Sequence, residues 1–327
     1  MTIERTRANA TILAAGLVAL AALATPVPVA AQDANILLPV DTVERLLKFG
    51  DFEILDRRGS RFQGDRTSRV ALQFNGATMM VVKWAPAPRG GDADNNSPRY
   101  EMAAYELQKM FLEPHEFVVP PTVIRAFDLP WYRTLDPDAR PTFEDTRSVL
   151  VALQYWLFNI AGDDFYDRRR LDSDSVYARH LGNFNVFTYV ARHNDQNMGN
   201  YLISSVESNP RVFSVDNGLA FHSRTSDQGA DWRQLRVRRL PVETVERLRT
   251  ITRADLQDQL GTLAQFEVRS DGTLTLEPSG PAIDPRRGIR TTETVIQLGL
   301  TEREIDDVWR RIQRLLDRVD DGDLETF

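Results

Sequence analysis

The sequence predicts an α+β protein of two lobes, with a small β-rich N-terminal lobe and a larger, mainly helical C-terminal lobe. Short alternating segments cluster in the first half of the chain, and helical patterns dominate its last third. The length of 327 residues exceeds that of one small domain. The predicted boundaries are residues 1–31 for a leader segment, 32–153 for the first lobe and 154–327 for the second.

Residues 1–31 have the pattern of a secretory signal peptide. Arg5 and Arg7 precede an apolar run at residues 10–24, and residues 29–31 fit a small-x-small cleavage site. The run is shorter than the roughly 20 residues that a membrane-spanning helix needs, and an uncleaved N-terminal anchor is the alternative. We therefore expect an exported protein, periplasmic or secreted, without integral membrane association after cleavage.

Composition excludes several classes of function. The chain contains no cysteine, which excludes disulfides, thiolate metal sites and cysteine nucleophiles. Its net charge of −7 at pH 7 argues against general affinity for nucleic acid, because such binding requires a basic surface. We expect no nucleic-acid partner.

Turn and strand signals predict the first lobe. A short helix begins near Asp41, with the spacing of an N-capping arrangement, and can end at Gly50. Alternating residues at 52–55 and 69–74 indicate strands. Asn75-Gly76 is a strong signal for a two-residue hairpin that leads into a third strand.

The loop between the first two predicted strands contains Gly59, Ser60 and Gly64. Backbone amides in such a loop can surround phosphate oxygens. We predict that these three residues contact a nucleotide, and an ordinary surface turn is the alternative.

Lys83 lies within the third predicted strand and is one of three lysines among 40 basic residues. A compact ammonium suits a point contact with phosphate oxygens and an acidic partner, whereas the guanidinium fork of arginine is wider. We predict these contacts for Lys83. The alternative is a strand-edge lysine that points to solvent.

The acidic partner of Lys83 is expected on a helix that begins near Arg99. Glu101 is the predicted partner, and Glu106 is the alternative because the register of the helix is uncertain. Further along, residues 148–156 indicate a buried strand that can serve as the hinge between the lobes. Gln154 on this strand is predicted to contact the nucleotide.

Two polar segments of the second lobe carry the candidate chemistry. Asn200 lies five positions after Asp195, and a later apolar segment ends in Asp216-Asn217-Gly218. Kinase-type phosphoryl transfer requires one carboxylate beside the attacking hydroxyl, and an amide oxygen and a second carboxylate on the metal ions that neutralise the triphosphate. Asp195, Asn200 and Asp216 can fill those three roles, although Asp-x-Gly after a strand is also an ordinary turn.

The remaining segments look structural. Residues 162–174 read as a charged loop, and residues 232–239 contain a candidate lipid-facing patch, for which a solvated charged segment is the alternative. Further helical or buried segments and one hairpin are predicted at residues 181–190, 242–250, 253–263 and 266–276. Thr301 and Glu304 fit a capping box that opens a last amphipathic helix through about residue 319.

Three segments resemble known kinase families. Residues 101–105 and 119–123 resemble the region of the secretory-pathway casein kinases that carries the lysine-pairing glutamate. Residues 215–221 are similar to the metal-binding segment of the type II phosphatidylinositol 4-kinases. Together the motifs resemble the atypical kinase-like superfamily that includes both families, over roughly residues 50–225. The resemblance implies a two-lobed protein-kinase-like fold.

The resemblance also implies a role for each candidate residue. Lys83 would contact the phosphates of ATP and Glu101 would pair with Lys83, while Asp195 would lie beside the substrate hydroxyl. Asn200 and Asp216 would hold Mg or Mn.

One departure from these families leaves an alternative open. Their catalytic aspartate is usually followed by arginine, whereas Asp195 is followed by Gln196. A shifted alignment would make His193 the reactive group.

We therefore expect a metal-dependent phosphotransferase that moves the γ-phosphate of ATP to a hydroxyl group of a protein, lipid or sugar acceptor. The principal alternative is a secreted pseudokinase, or a nucleotide- or partner-binding module, without turnover. The third possibility is a nucleotidyl transfer, or the transfer of another group, by a protein with the same kinase-like fold.

Overall fold

The computed structural model describes residues 33–60, 66–93, 96–161, 165–195, 199–221 and 231–327. The predicted signal peptide at residues 1–31 and Gly64 of the predicted phosphate loop lie outside these ranges. In the described part of the chain, no helix is both long enough and apolar enough to cross a membrane.

The first lobe is built on a five-stranded antiparallel sheet with the strand order β1-β2-β3-β5-β4. In chain order its elements are α1 (Val40–Phe49), β1 (Phe52–Gly59), β2 (Ser68–Phe74), β3 (Thr78–Pro86), α2 (Pro98–Gln108), β4 (Thr122–Asp128), α3 (Leu129–Tyr132) and β5 (Ser148–Tyr155). The predicted lobe boundary at residues 153 and 154 falls within β5, and it stays a prediction.

The second lobe contains most of the helices and three smaller sheets. In chain order its elements are β6 (Ile160–Ala161), α4 (Arg168–Ser173), α5 (Ser175–Val190), β7 (Tyr201–Ser204), β8 (Val212–Ser214), β9 (Arg239–Leu240), α6 (Val242–Thr250), α7 (Arg253–Leu260), β10 (Ala264–Val268), β11 (Leu274–Glu277), β12 (Ile289–Thr291), β13 (Val295–Leu298), α8 (Glu302–Asp320) and β14 (Glu325–Thr326). The sheets have the orders β6-β7-β8, β11-β10-β13-β12 and β14-β9.

Strand β3 shows how the alternating sequence pattern orients Lys83. Val82 and Trp84 are buried in the core that packs against α1, whereas Lys83 is less buried than either neighbour. Successive side chains of a strand point to opposite faces, so Lys83 faces away from that core.

The hairpin predicted between β2 and β3 is confirmed, but its turn holds three residues rather than two because Phe74 pairs with Thr78. Asn75 and Gly76 adopt positive φ values of 49° and 68°. Such values favour asparagine and glycine, which is why this dipeptide signals a turn.

Helix α2 is the link between the two lobes. All of its residues are buried, because it packs on β4 and β5 on one side and on α7 of the second lobe on another. Its hydrophobic contacts belong to one core that extends through α5 to α8 and the sheet of β10–β13.

Three local predictions are wrong or incomplete. Helix α1 begins at Val40 after Pro39, without a side-chain cap from Asp41. The segment predicted as a charged loop contains α4, because the Asp167 carboxylate accepts hydrogen bonds from the amides of Arg169 and Arg170 and starts a helix. The predicted hairpin of β10 and β11 forms, but two further strands extend it into a four-stranded sheet.

Candidate active site

Lys83 lies at the centre of a small ionic cluster. It is carried by β3, where it pairs in register with Gln154 of β5. Its Nζ donates to Glu101 Oε1 at 3.1 Å and to Asp216 Oδ1 at 2.8 Å. One ammonium therefore joins a helix of the first lobe to a turn of the second.

The electrostatics of the cluster keep Lys83 charged. Burial alone lowers the pKa of the Lys83 ammonium, but the two neighbouring carboxylates outweigh that effect and raise it above its ordinary value. The Lys83 charge lowers the pKa of Asp216. Burial raises the pKa of Glu101, and the charge of Asp216 adds to that shift while Lys83 opposes it.

Glu101, and not Glu106, faces Lys83. The second oxygen of Glu101 accepts a hydrogen bond of 3.0 Å from the amide of Asn217, beside Asp216. Glu106 instead accepts from Lys109 Nζ at 2.8 Å and from Gln259 Nε2 at 2.7 Å. The two candidates left open by the sequence thus lie on different sides of α2.

Asp216 is held in a turn that follows β8. Its φ of 58° is left-handed, a conformation that aspartate and asparagine tolerate better than most residues. Ser214 Oγ donates to Asn217 Oδ1 at 3.0 Å, and Asn217 Nδ2 donates to the Ser214 carbonyl at 3.3 Å, which closes the turn. The Asp216 side chain is 57% exposed, so a ligand in the cleft can reach it.

The backbone joins the Asp195 segment to the Asp216 turn. Asn200 is buried, and its Nδ2 donates to the Asp195 carbonyl at 3.4 Å. The Asn200 carbonyl accepts from the amide of Val215 at 2.9 Å, and the amide of Phe221 donates to the Ala191 carbonyl at 2.7 Å. These bonds place Asp195, Asn200 and Asp216 in one region of the molecule.

Asp195 and His193 differ sharply in exposure. Asp195 is half-buried, and its charge adds to burial in raising the pKa of the Tyr201 hydroxyl. His193 is fully buried, with Nδ1 at 3.2 Å from the Tyr201 hydroxyl, and burial lowers its pKa to about 4. A buried, neutral imidazole is poorly placed to contact an acceptor, and the assignment of Asp195 as the reactive group stays a prediction.

A cleft of about 400 Å³ opens beside the ionic cluster. Its polar lining includes Lys83, Gln154, Asn200 and Asp216, so the structure brings these four predicted residues together. The Gln154 side chain donates to Thr122 Oγ1 at 2.9 Å, which anchors it at the cleft wall.

The cleft also has an apolar wall that the sequence analysis missed. It is formed by Tyr155, Trp156, Leu157, Ile160, Leu202 and Val215. A mostly apolar wall beside a few polar groups is the usual environment of a small-molecule site. The available signal was the position of Tyr155-Trp156-Leu157 at the end of the predicted hinge strand.

The predicted phosphate loop is only partly described. Gly59 ends β1 opposite Ser68, and the amide of Ser60 donates to the Thr67 carbonyl at 2.9 Å. Gly59 and Ser60 therefore lie where β1 and β2 enter their connecting loop. Thr67 lines the cleft, whereas Gly59 and Ser60 do not. Their contact with a nucleotide stays a prediction.

The patch predicted at residues 232–239 is not an exposed apolar surface. Trp232 is buried and its ring packs against Phe165 and Phe184. Arg233 from this segment instead donates to Asn194 Oδ1 at 2.9 Å, next to Asp195.

The site contains oxygen donors that suit a hard divalent cation. Asn200 offers an amide oxygen and Asp216 a carboxylate, and Mg²⁺ is commonly held by one or two such ligands together with water and phosphate oxygens. Across the described ranges, no group of three or more His, Asp or Glu side chains is arranged to hold a metal ion. A cation between Asn200 and Asp216 would take its remaining ligands from water and phosphates.

Comparison with known proteins identifies the fold. No protein-family profile matches the chain, and no curated protein matches it significantly. A solved structure of Fam20 from hydra, described as a structure with sugar, is similar with a TM-score of 0.51 and 14% sequence identity. The similarity covers 86% of this chain and 88% of that chain. The chain therefore has the two-lobed protein-kinase-like fold that its sequence predicts, with a β-rich N-terminal lobe and a larger, mainly helical C-terminal lobe.

Proposed function

We propose that this chain is a metal-dependent phosphotransferase that moves the γ-phosphate of ATP to a hydroxyl group of an acceptor. The observation that carries the proposal is the position of Lys83, held between Glu101 and Asp216 at the wall of an interlobe cleft. A charged lysine fixed in this way is a point contact for phosphate oxygens.

Each residue has a role in the proposed reaction. The acceptor oxygen attacks the γ-phosphorus, the bond between the γ-phosphorus and the bridging oxygen breaks, and ADP leaves. The hydroxyl proton passes to the carboxylate of Asp195, which is half-buried. Lys83 holds the phosphates, and the apolar wall receives the base of the nucleotide.

Asn200 and Asp216 would hold Mg or Mn. When bound, the metal supplies positive charge that offsets the negative charge of the triphosphate. The cleft residues position the reactants, and positioning together with charge neutralisation accounts for most of the catalysis in phosphoryl transfer.

The acceptor and the compartment are part of the same proposal. The leader at residues 1–31 supports export, and we propose that the protein acts in the periplasm or as a secreted protein. The acceptor carries a hydroxyl group on a protein, a lipid or a sugar.

Two variants and a control test the proposal. Asp195→Asn is expected to lower the rate of transfer by about 100-fold or more, because it removes the proton acceptor. Asp216→Asn tolerates the left-handed backbone and is expected to abolish transfer, because a neutral amide replaces the charged metal ligand. Asp258→Asn, an exposed change on α7, should retain full activity. The measurement is labelled-ATP transfer with Mn or Mg to protein, lipid and glycan fractions.

Thermal shifts with Mn and ATP separate binding from turnover. A ligand at 100 times its Kd stabilises the folded state by about 2.7 kcal/mol, so the wild type should melt later. Asp195→Asn should keep this shift while Asp216→Asn loses it. Full transfer by Asp216→Asn would contradict the proposal, and a shift without transfer to any fraction would favour the nucleotide-binding module.

A further inference from the structure

A second cavity, of about 390 Å³, lies between the segment that leads to Asp195 and helix α8. Five arginines and one aspartate line it, and we call this cavity the arginine pocket. These residues are Arg192, Arg233, Arg310, Arg311, Arg314 and Asp307. They come from three separate parts of the sequence, so no local sequence motif predicts the pocket.

The positive charge of the arginine pocket is not balanced by its own side chains. Asp307 contacts Arg310 and therefore offsets one guanidinium. Within the ranges that the structure describes, Arg233, Arg311 and Arg314 form no ion pair with a carboxylate. The cavity is therefore lined by at least two guanidinium groups whose charge is not offset by a carboxylate of the pocket.

Arg311 is the strongest sign that an anion is expected here. Its Nε donates to the Val190 carbonyl at 2.7 Å, which fixes the guanidinium against the end of α5. Its Nη2 is buried and has no hydrogen-bond partner among the described residues. Burial lowers the pKa of Arg311 to about 10, and the charges of Arg192 and Arg310 add to that shift. A buried donor without a partner is costly, and an anion would satisfy it.

The arginine pocket adjoins the segment proposed to receive the acceptor. Arg192 precedes Asp195 by three residues, and three peptide units span at most about 11 Å between their Cα atoms. Arg233 Nη1 donates to Asn194 Oδ1 at 2.9 Å, so one pocket residue also touches the neighbour of Asp195. An anionic group in the pocket would therefore lie close to the proposed site of proton transfer.

We propose that the arginine pocket binds a phosphate group carried by a small phosphorylated acceptor, and that this contact places the acceptor hydroxyl near Asp195. The assignment of the ligand as an acceptor rests on the proposed phosphotransferase function. A guanidinium fork matches phosphate oxygens in bidentate contacts, and a dianion suits several unpaired guanidinium groups better than a single carboxylate. The cavity volume is in the range of small-molecule sites.

Calorimetry on the full chain, without nucleotide or metal, tests the pocket directly. The probes are inorganic phosphate, glucose 6-phosphate and a phosphoserine peptide. Arg314→Gln removes an exposed pocket guanidinium from α8 and should weaken glucose 6-phosphate binding by about tenfold or more, the loss expected for a charge-assisted hydrogen bond. Arg303→Gln, an equal charge change at an exposed site on the same helix, should leave binding within about twofold.

A variant of the nucleotide cleft separates the two phosphate sites. Lys83→Gln should leave glucose 6-phosphate binding unchanged but weaken ATP binding, because Lys83 lies in the cleft and not in the arginine pocket. Equal losses from Arg314→Gln and Arg303→Gln would overturn the proposal, as would loss of sugar phosphate binding only in Lys83→Gln. Tighter binding of the phosphoserine peptide than of glucose 6-phosphate would overturn the assignment to a small acceptor.

These binding measurements need no turnover, so the two proposals fail separately. Sugar phosphate binding that depends on Arg314 supports an anion site even if no ATP transfer is found. Transfer that depends on Asp216, without any anion binding that depends on Arg314, would keep the phosphotransferase and remove the pocket.

Discussion

At the scale of single residues, the rarity of lysine is informative but not sufficient. All three lysines contact carboxylates in the structure, and Lys48 and Lys109 both bind Glu44. The Lys48 pair lies within α1 and the Lys109 pair joins the end of α2 to α1, whereas Lys83 alone of the three lines the cleft. The functional interpretation of Lys83 therefore depends on its apolar strand as well as on its scarcity.

The choice between the two glutamates of α2 leads to a prediction. Glu101→Gln keeps an oxygen for the amide of Asn217 but removes the charge that orients Lys83, so kcat/KM for ATP should fall by about 100-fold. Glu106→Gln is the matched control, because Glu106 contacts Lys109 and Gln259 away from the cleft. Steady-state transfer and the ATP-induced thermal shift are the measurements. Equal effects of the two substitutions would contradict the assignment of Glu101.

At the scale of elements, α2 is fixed in the position that presents Glu101 to Lys83. Arg99 donates to both oxygens of Glu304 on α8, at 2.8 and 3.1 Å, and its Nε donates to Asp92 at 2.7 Å. Tyr100 also donates to Glu304. Because these groups are mostly buried, rotation of α2 away from the cleft would expose unpaired charges. The Lys83–Glu101 pair is thus assembled without a ligand.

Because Glu304 forms the contact between α2 and α8, we expect its substitution to lower the free energy of unfolding much more than substitution of Asp306 on the same helix. Glu304→Gln weakens the bond to Arg99, whose side chain is 9% exposed, and should lower the free energy of unfolding by about 3 kcal/mol. Asp306→Asn removes an exposed pair with Arg253 and should cost less than about 1 kcal/mol. Urea unfolding of both variants measures the difference. A loss below about 1 kcal/mol for Glu304→Gln would mean that the contact of Arg99 with Glu304 does not stabilise the fold.

In the whole molecule, the two lobes also contact each other outside the cleft. The amide of Leu274 in β11 donates to Ser148 Oγ at the start of β5, and the amide of Arg147 donates to the Gly272 carbonyl. The large core extends from α2 into α5, α8 and the sheet of β10–β13. We therefore expect the described unit to unfold cooperatively, with stability set by groups in both lobes.

Two buried histidines allow a prediction of how the free energy of unfolding depends on pH. Burial lowers the pKa values of His180 and His193 to about 4, below the ordinary value of 6.5. Between these values the unfolded chain binds more protons than the folded chain, so stability falls as the pH drops from about 6.5 to 4. From pH 7 to pH 4.5, each histidine should contribute a loss of about 2 kcal/mol.

The acid effect can be assigned with one variant and one control. His180→Gln can keep the contact with Asn209 and should reduce the loss of stability between pH 7 and pH 4.5 by about 2 kcal/mol. His115→Gln replaces an exposed histidine and is the control. Denaturant unfolding at both pH values measures the loss. If the two variants lose the same stability on acidification, the buried-histidine explanation fails.

Local patterns in the sequence were enough to predict several features. The capping box of Thr301 and Glu304 forms as predicted, and the Asn75-Gly76 turn forms with one residue more than predicted. Both features depend on backbone geometry within a few residues. The two-lobed fold also followed from the order of strand, turn and helix signals. The shared position of Lys83 and Asp216 at one cleft could also be predicted, because their own neighbours in sequence restrict their environment.

Other features were decided only by the tertiary structure. Helical periodicity gives the spacing of Glu101 and Glu106 but not the rotation of α2, which is set by buried contacts to α8 and α7. The apolar wall of the cleft and the arginine pocket join residues that are far apart in the chain. Short-range steric and hydrogen-bonding preferences determine turns and caps, whereas the convergence of distant side chains depends on how whole elements pack.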